Sequence, residues 1–200
     1  MQTAFKLVAV SSIALALAAC GSAKDANKSN FSKAIQAYLD TQNGICADLP
    51  ARELPFRLEN QDMLGQGRKA RADALADAGL LSKHDTELKA LFGGTVPGTE
   101  YEVTELGRKY LGERHKFAFC TGSYTVVDVD NFTEPSDMMG MKVSQVNFHY
   151  KAKDTADWIK NDKVQAAYTN VAEEAKGDIR GHAGLVLTND GWLHERLFKR

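Results

Sequence analysis

Three cysteines and five histidines are the side chains of this 200-residue chain best suited to nucleophilic or metal chemistry, and their spacing argues against both. Cys20, Cys46 and Cys120 stand far apart, none in a C-x-x-C pair and none beside a histidine, so neither a zinc cluster nor a thiol–imidazole couple is encoded locally. His84, His115, His149, His182 and His194 are scattered, with no H-E-x-x-H spacing, and no G-x-S-x-G elbow is present. Asp128-Val129-Asp130-Asn131 begins like a calcium loop. It then lacks the glycine needed at position six and the glutamate needed at twelve, where Met139 stands. Gly65-Gln66-Gly67-Arg68-Lys69 has the composition of a phosphate cradle but follows no strand, and reads as a turn feeding a helix. Met138-Met139-Gly140-Met141 offers soft thioethers suited to Cu(I), but flexible methionines packing on a core or partner are the stronger explanation. No catalytic residue, metal site or cofactor is assigned on these grounds.

The N-terminus carries the clearest signal. Lys6 precedes an apolar run from Leu7 to about Ala19, broken only by Ser11 and Ser12. At about 13 residues the run is too short for a hydrocarbon core needing about 20. A short apolar run behind a positive charge, ending in small residues, reads as an export signal over residues 1–19.

The run ends Leu17-Ala18-Ala19-Cys20-Gly21, which resembles the lipobox of bacterial lipoproteins at every position. The resemblance implies cleavage before Cys20, several acyl chains on that cysteine and a near-permanent membrane anchor, since a single chain holds only reversibly. Gly21 after the cysteine favours the outer membrane, with the body facing the periplasm. An ordinary signal peptide with an incidental cysteine is the alternative. With Cys20 acylated, Cys46 and Cys120 make an even pair in an oxidising compartment. Their bridge would close a loop of about 75 residues, worth roughly 4 kcal/mol in the chain-entropy model. Two separate buried thiols remain the other option.

Charge narrows the partners. The chain has 25 Lys and Arg against 26 Asp and Glu, and loss of Lys6 with the signal moves the net charge from −1 to −2. That balance gives no footprint for nucleic acid and no polybasic stretch for anionic lipid. The expected partners are the membrane, through Cys20, and a protein or cell-wall component.

The elements that must position any site follow from periodicity. Residues 20–29 are small and polar and read as a lipidated flexible tether. Ser29 or Asn30 caps a helix with Phe31, Ile35, Tyr38 and Leu39 on one face, ended by Asn43-Gly44. Residues 55–58 suggest a short edge strand, 67–78 a helix stopped by Gly79, 86–91 a helical turn, 101–103 a short strand, and 104–111 a helix.

Ala74-Leu75, Ala78-Gly79-Leu80-Leu81, Tyr101-Glu102-Val103-Thr104, Gly107 and Leu111 make residues 67–111 similar to part of a winged-helix domain. That family usually binds DNA. Export, together with Asp85, Glu87, Glu100 and Glu102 on the wing, turns the expectation toward a packing scaffold or protein-binding surface instead.

Further on, 117–130 and 143–150 read as strands and 155–176 as a helix capped by Asp154 or Thr155. Leu185–Thr188 and Trp192–Phe198 form a hairpin through Asn189-Asp190-Gly191. The expected fold is α+β: a mainly helical, winged-helix-like region over 30–115, then an antiparallel β-sheet with one packed helix over 116–200, as one compact domain or two. The expected role is a non-enzymatic envelope interaction or structural module. The competing readings are an envelope hydrolase whose site gathers His149, Asp128 and Glu134, and a carrier with an apolar pocket between the sheet and the 155–176 helix.

Overall fold

A computed structural model describes residues 22–61, 67–90, 93–112 and 116–199. The signal peptide, Cys20, most of the Gly65–Lys69 motif's glycine turn and His115 lie outside the described residues. Helix α1 (Lys28–Leu39) is followed by β1 (Ile45–Asp48), β2 (Phe56–Glu59), α2 (Arg68–Asp77), β3 (Leu81–Lys89), β4 (Thr95–Val103) and the single turn α3 (Glu105–Arg108). Then come β5 (Ala118–Thr121), β6 (Ser123–Phe132), β7 (Ser136–Met138), β8 (Met141–Lys153), α4 (Asp162–Ala167), α5 (Thr169–Glu174), β9 (Ile179–Thr188) and β10 (Gly191–His194). Strands hold 42% of the described residues and helices 27%, so the mainly helical first half is corrected.

The error has a physical source. In β3 and β4 charged and polar residues occupy both faces, and β3 buries only Leu81 outright. An exposed two-sided hairpin shows no period-2 apolar signal, so Thr86–Leu91 read as helical although the strand runs on to Lys89. Nine cross-strand pairs from Leu81↔Val103 to Lys89↔Thr95 hold it, and β2 joins on the far side of β4.

The principal sheet has the order β10-β9-β8-β6, all antiparallel, with β7 continuing the line of β6 along the outer edge of β8. Its packed helix is α1, not the 155–176 segment: Phe31, Ile35 and Leu39 are buried as expected, in one cluster with Val129, Val146, Phe148, Leu185 and Trp192. Phe31 meets Phe132 and Trp192 edge-on at 4.8 and 4.9 Å. The cap is Asn27, whose side chain accepts from the Asn30 backbone N–H at 2.9 Å, rather than Ser29 or Asn30.

The expected 155–176 helix is broken. A 3₁₀ turn over Asp157–Lys160 precedes α4, which Asn161 caps by accepting from Lys163 and Val164 N–H groups. Tyr168, at φ −130°, separates α4 from α5 because its ring is buried and its hydroxyl donates to the Asp48 carbonyl at 2.8 Å. Val164, Tyr168 and Val171 still face inward, but α4 packs on α2 and α5 on β1.

The strand read over 117–130 also divides, at Gly122. Its φ of +74° suits glycine, and a Cβ there would stand 2.4 Å from the Lys153 carbonyl oxygen. Before the break β5 pairs with β1; after it β6 joins the principal sheet.

Candidate functional site

Cys46 and Cys120 face each other across β1 and β5 and are joined by a disulfide, with Cα atoms 4.1 Å apart. Two rungs on, Asp48 stands opposite Ala118, and the Leu49 N–H donates to the Phe117 carbonyl at 2.7 Å. Four-residue strands pair weakly alone. The bridge therefore fixes the floor of the cleft that opens at this point.

That cleft, about 590 Å³, is lined by Asp48, Leu49, Arg52, Arg71, Lys116, Phe117 and Ala118. Three chain segments converge there. The β1–β2 loop supplies Arg52, the first turns of α2 supply Arg71, and the lead-in to β5 supplies Lys116 and Phe117. Phe117 is 39% exposed, a large apolar ring open to solvent. The Arg71 guanidinium lies 5.9 Å above the Tyr168 ring. No ion pair joins Arg52, Arg71 or Lys116 to a carboxylate among the described residues. Three cations and one carboxylate over an apolar floor suit an anionic, partly apolar ligand group; the arginines can grip a carboxylate bidentately. Sequence reasoning missed this set because Arg52, Arg71 and Lys116 are separated by whole elements and only the fold assembles them.

A second constellation occupies the outer face of the principal sheet. His149 Nε2 is 3.1 Å from Asp130 Oδ2, and its Nδ1 contacts Asp178 Oδ1. Beside it Asn147 donates to Asn131 at 2.8 Å and meets His182 Nδ1 at 2.9 Å. The hydrolase set of His149, Asp128 and Glu134 is not brought together as such. Asp128 sits opposite His149 in register, yet its carboxylate turns to Lys28 at 3.4 Å, and Asp130 and Asp178 take its place on the ring. Both imidazole nitrogens are thus occupied by carboxylates. A general base needs one nitrogen turned to substrate.

The third constellation lies between α5 and β6. The Tyr124 hydroxyl touches the Gly44 carbonyl at 2.8 Å and the Glu174 carboxyl. A hydroxyl carries one proton, and a carbonyl only accepts. The Tyr124 hydroxyl therefore shares its single proton between the Gly44 carbonyl and the Glu174 carboxylate. Burial raises the Glu174 pKa and Glu173 adds to this, against the opposing pull of the Tyr124 contact. Burial first, then Glu174, raises Tyr124 as well.

The remaining expected residues have local partners. Asp128, Asp130 and Asn131 lie along β6 rather than in a calcium loop. Arg68 donates to the Pro50 carbonyl at 3.1 Å and Lys69 pairs with Asp73 at 2.7 Å, so neither lines a phosphate cradle. His194 is buried, stacks on Tyr38 at 3.9 Å and accepts from the Arg196 N–H; burial lowers its pKa. His84 is exposed on β3. Among the described residues no group of histidines, cysteines and carboxylates is arranged to hold a metal ion, and no helix is long and apolar enough to cross a membrane. Comparison with known proteins finds no matching family model, no matching curated protein and no matching solved structure.

Proposed function

We propose that the mature chain is a lipid-anchored bacterial envelope protein, held by acylated Cys20 on the outer membrane and facing the periplasm, that works as a non-enzymatic binding module. The anchor rests on Leu17-Ala18-Ala19-Cys20-Gly21 behind an export signal. The binding role rests on one observation: Arg52, Arg71 and Lys116 rim a cleft beside the disulfide-tied β1–β5 pair without carboxylate partners among the described residues. Three cations without carboxylate partners among the described residues, around an exposed Phe117, suit a partner that brings its own carboxylates, a protein segment or a cell-wall peptide.

Neither competing reading has comparable support. His149 is held at both nitrogens, and the sheet face that a carrier would need open is covered by α1. The test is photo-crosslinking in living cells from a reactive residue at Phe117, with and without Arg52→Glu and Arg71→Glu. A specific adduct that drops at least ten-fold in the double variant is expected, since reversing two charges turns attraction into repulsion. Equal adducts in both backgrounds, or turnover of an envelope substrate by the purified protein, would overturn the reading.

A further inference from the structure

The body begins almost at the anchor. Residues 22–27, expected as tether, are instead held to the domain. The Trp192 indole N–H donates to the Lys24 and Asp25 carbonyls at 3.1 and 3.2 Å, and Asn30 donates to the Ser22 and Asp25 carbonyls, both at 2.9 Å. Gly191 leaves room for this strap, since a Cβ there would stand 2.9 Å from the Ala23 carbonyl oxygen. Only Gly21 separates Ser22 from Cys20, so the acylated residue stays within about 7 Å of a fixed point on the body.

That point marks one end of the principal sheet. The turn joining β9 to β10 lies there, since Thr188 pairs with Gly191. The turn joining β7 to β8 lies at the same end: Val143 pairs with Val186, and Met141 stands two residues beyond Val143 as Thr188 stands two beyond Val186. At its tip Met138 is 53% exposed and Met139 is 82% exposed, among the few large apolar side chains so placed. Met139 and Gly140 have φ of +52° and +80°. This two-residue turn favours Asn-Gly, and a methionine in its first position accepts backbone strain to set an apolar side chain at the outermost point.

We infer that the Met138–Met139 tip is a second membrane contact, dipping into the lipid interface beside acylated Cys20 and fixing the body upright on that end of the sheet. The inference rests on the reading of Cys20 as the lipid-bearing residue. A lipid surface is the occupant the geometry favours, because the short link to Cys20 brings this end of the sheet to the bilayer. The basic cleft then lies past the Ser123↔Lys153 rung, at the opposite end of a 13-residue strand that spans about 40 Å, and faces the periplasm.

The test uses the full-length protein, processed in cells, purified, labelled at methionine methyls with ¹³C and placed in phosphatidylethanolamine–phosphatidylglycerol nanodiscs. Met139→Asn, which supplies the residue this turn prefers, assigns the Met139 signal without loss of fold. A lipid carrying a nitroxide near its headgroup should remove at least half of the Met138 and Met139 intensity. An aqueous gadolinium chelate should broaden those signals at least three-fold less than in the soluble Cys20→Ser protein. Broadening by the chelate to the soluble level, or no effect of the lipid nitroxide, on a protein whose mass shows acylation overturns this inference and leaves the anchor standing. A mature mass without acyl chains overturns both.

Discussion

Removing the Cys46–Cys120 bridge tests whether it supports the cleft as well as the global fold. The two cysteines are 74 residues apart, and tying a loop of that length restricts the unfolded chain by roughly 4 kcal/mol in the entropic model. A compact unfolded ensemble reduces this, so we expect a loss of about 3 kcal/mol for Cys46→Ala with Cys120→Ala. At roughly 2–4 °C per kcal/mol for a chain of this size, the thermal midpoint should fall by about 6–12 °C. Calorimetry and urea titration of the soluble Cys20→Ser form, with and without the two alanines, provide the measurement. Hydrogen exchange adds the local readout. The Leu49 N–H, bonded to Phe117, and the Cys120 N–H, bonded to the Tyr110 carbonyl at 2.8 Å, should exchange faster by a larger factor than amides in β8 and β9. A midpoint shift under about 2 °C with unchanged exchange at those amides would refute the reasoning, because β1 and β5 would then hold without their tie.

Glu174→Gln should abolish a pH dependence. The folded carboxyl is raised above the unfolded value of about 4.3, so it favours the fold at low pH, and that contribution is lost as pH rises from about 4.3 through the folded value. Stability against pH should slope downward over this window in the parent and be flatter in the variant; parallel curves would refute the upward shift of the Glu174 carboxyl. Thr104→Ala should cost about 1–2 kcal/mol, because its hydroxyl accepts from the Gly107 N–H at 2.9 Å and donates to the Gly79 carbonyl at 2.7 Å. Thr104→Ser should stay within about 0.5 kcal/mol of the parent in urea titration, and equal losses in both variants would remove the hydroxyl as the cause.

How much of this was legible in the sequence depends on whether the signal was local. Asn189-Asp190-Gly191 between apolar runs correctly marked the β9–β10 hairpin, because a tight turn writes its φ requirement into adjacent residues. The Phe31, Ile35, Leu39 spacing correctly marked the buried face of α1. The Cys46–Cys120 pairing followed from counting once Cys20 was assigned to lipid. Failures came where packing between distant segments overrode local pattern. The 155–176 stripe is periodic enough for one helix, yet Tyr168 breaks it to reach Asp48, 120 residues earlier. The mostly exposed β3–β4 hairpin is set by register along nine pairs, which a hydropathy pattern cannot carry.

The candidate site was less legible still, and for a reason built into its chemistry. An anionic partner is gripped by side chains that must stay solvated until it arrives, so they fall on loops and helix surfaces where Arg and Lys carry no structural signature. Arg71 resembles any outward residue of α2 until Tyr168 is placed beneath it, and Lys116 resembles any loop lysine until Cys46–Cys120 brings Phe117 against Leu49. The same logic separates the cleft from the His149 cluster, which is richer in catalytic residue types but already self-satisfied: Asp130 and Asp178 take both ring nitrogens, and Asn131 and His182 take the Asn147 amide. A group whose polar partners are all supplied by the fold gains little from a ligand, whereas each cleft cation without a carboxylate partner among the described residues gains a charge-assisted hydrogen bond. On the proposed reading, the rim around Phe117 answers to a partner because its cations converge on one cleft without carboxylate partners among the described residues.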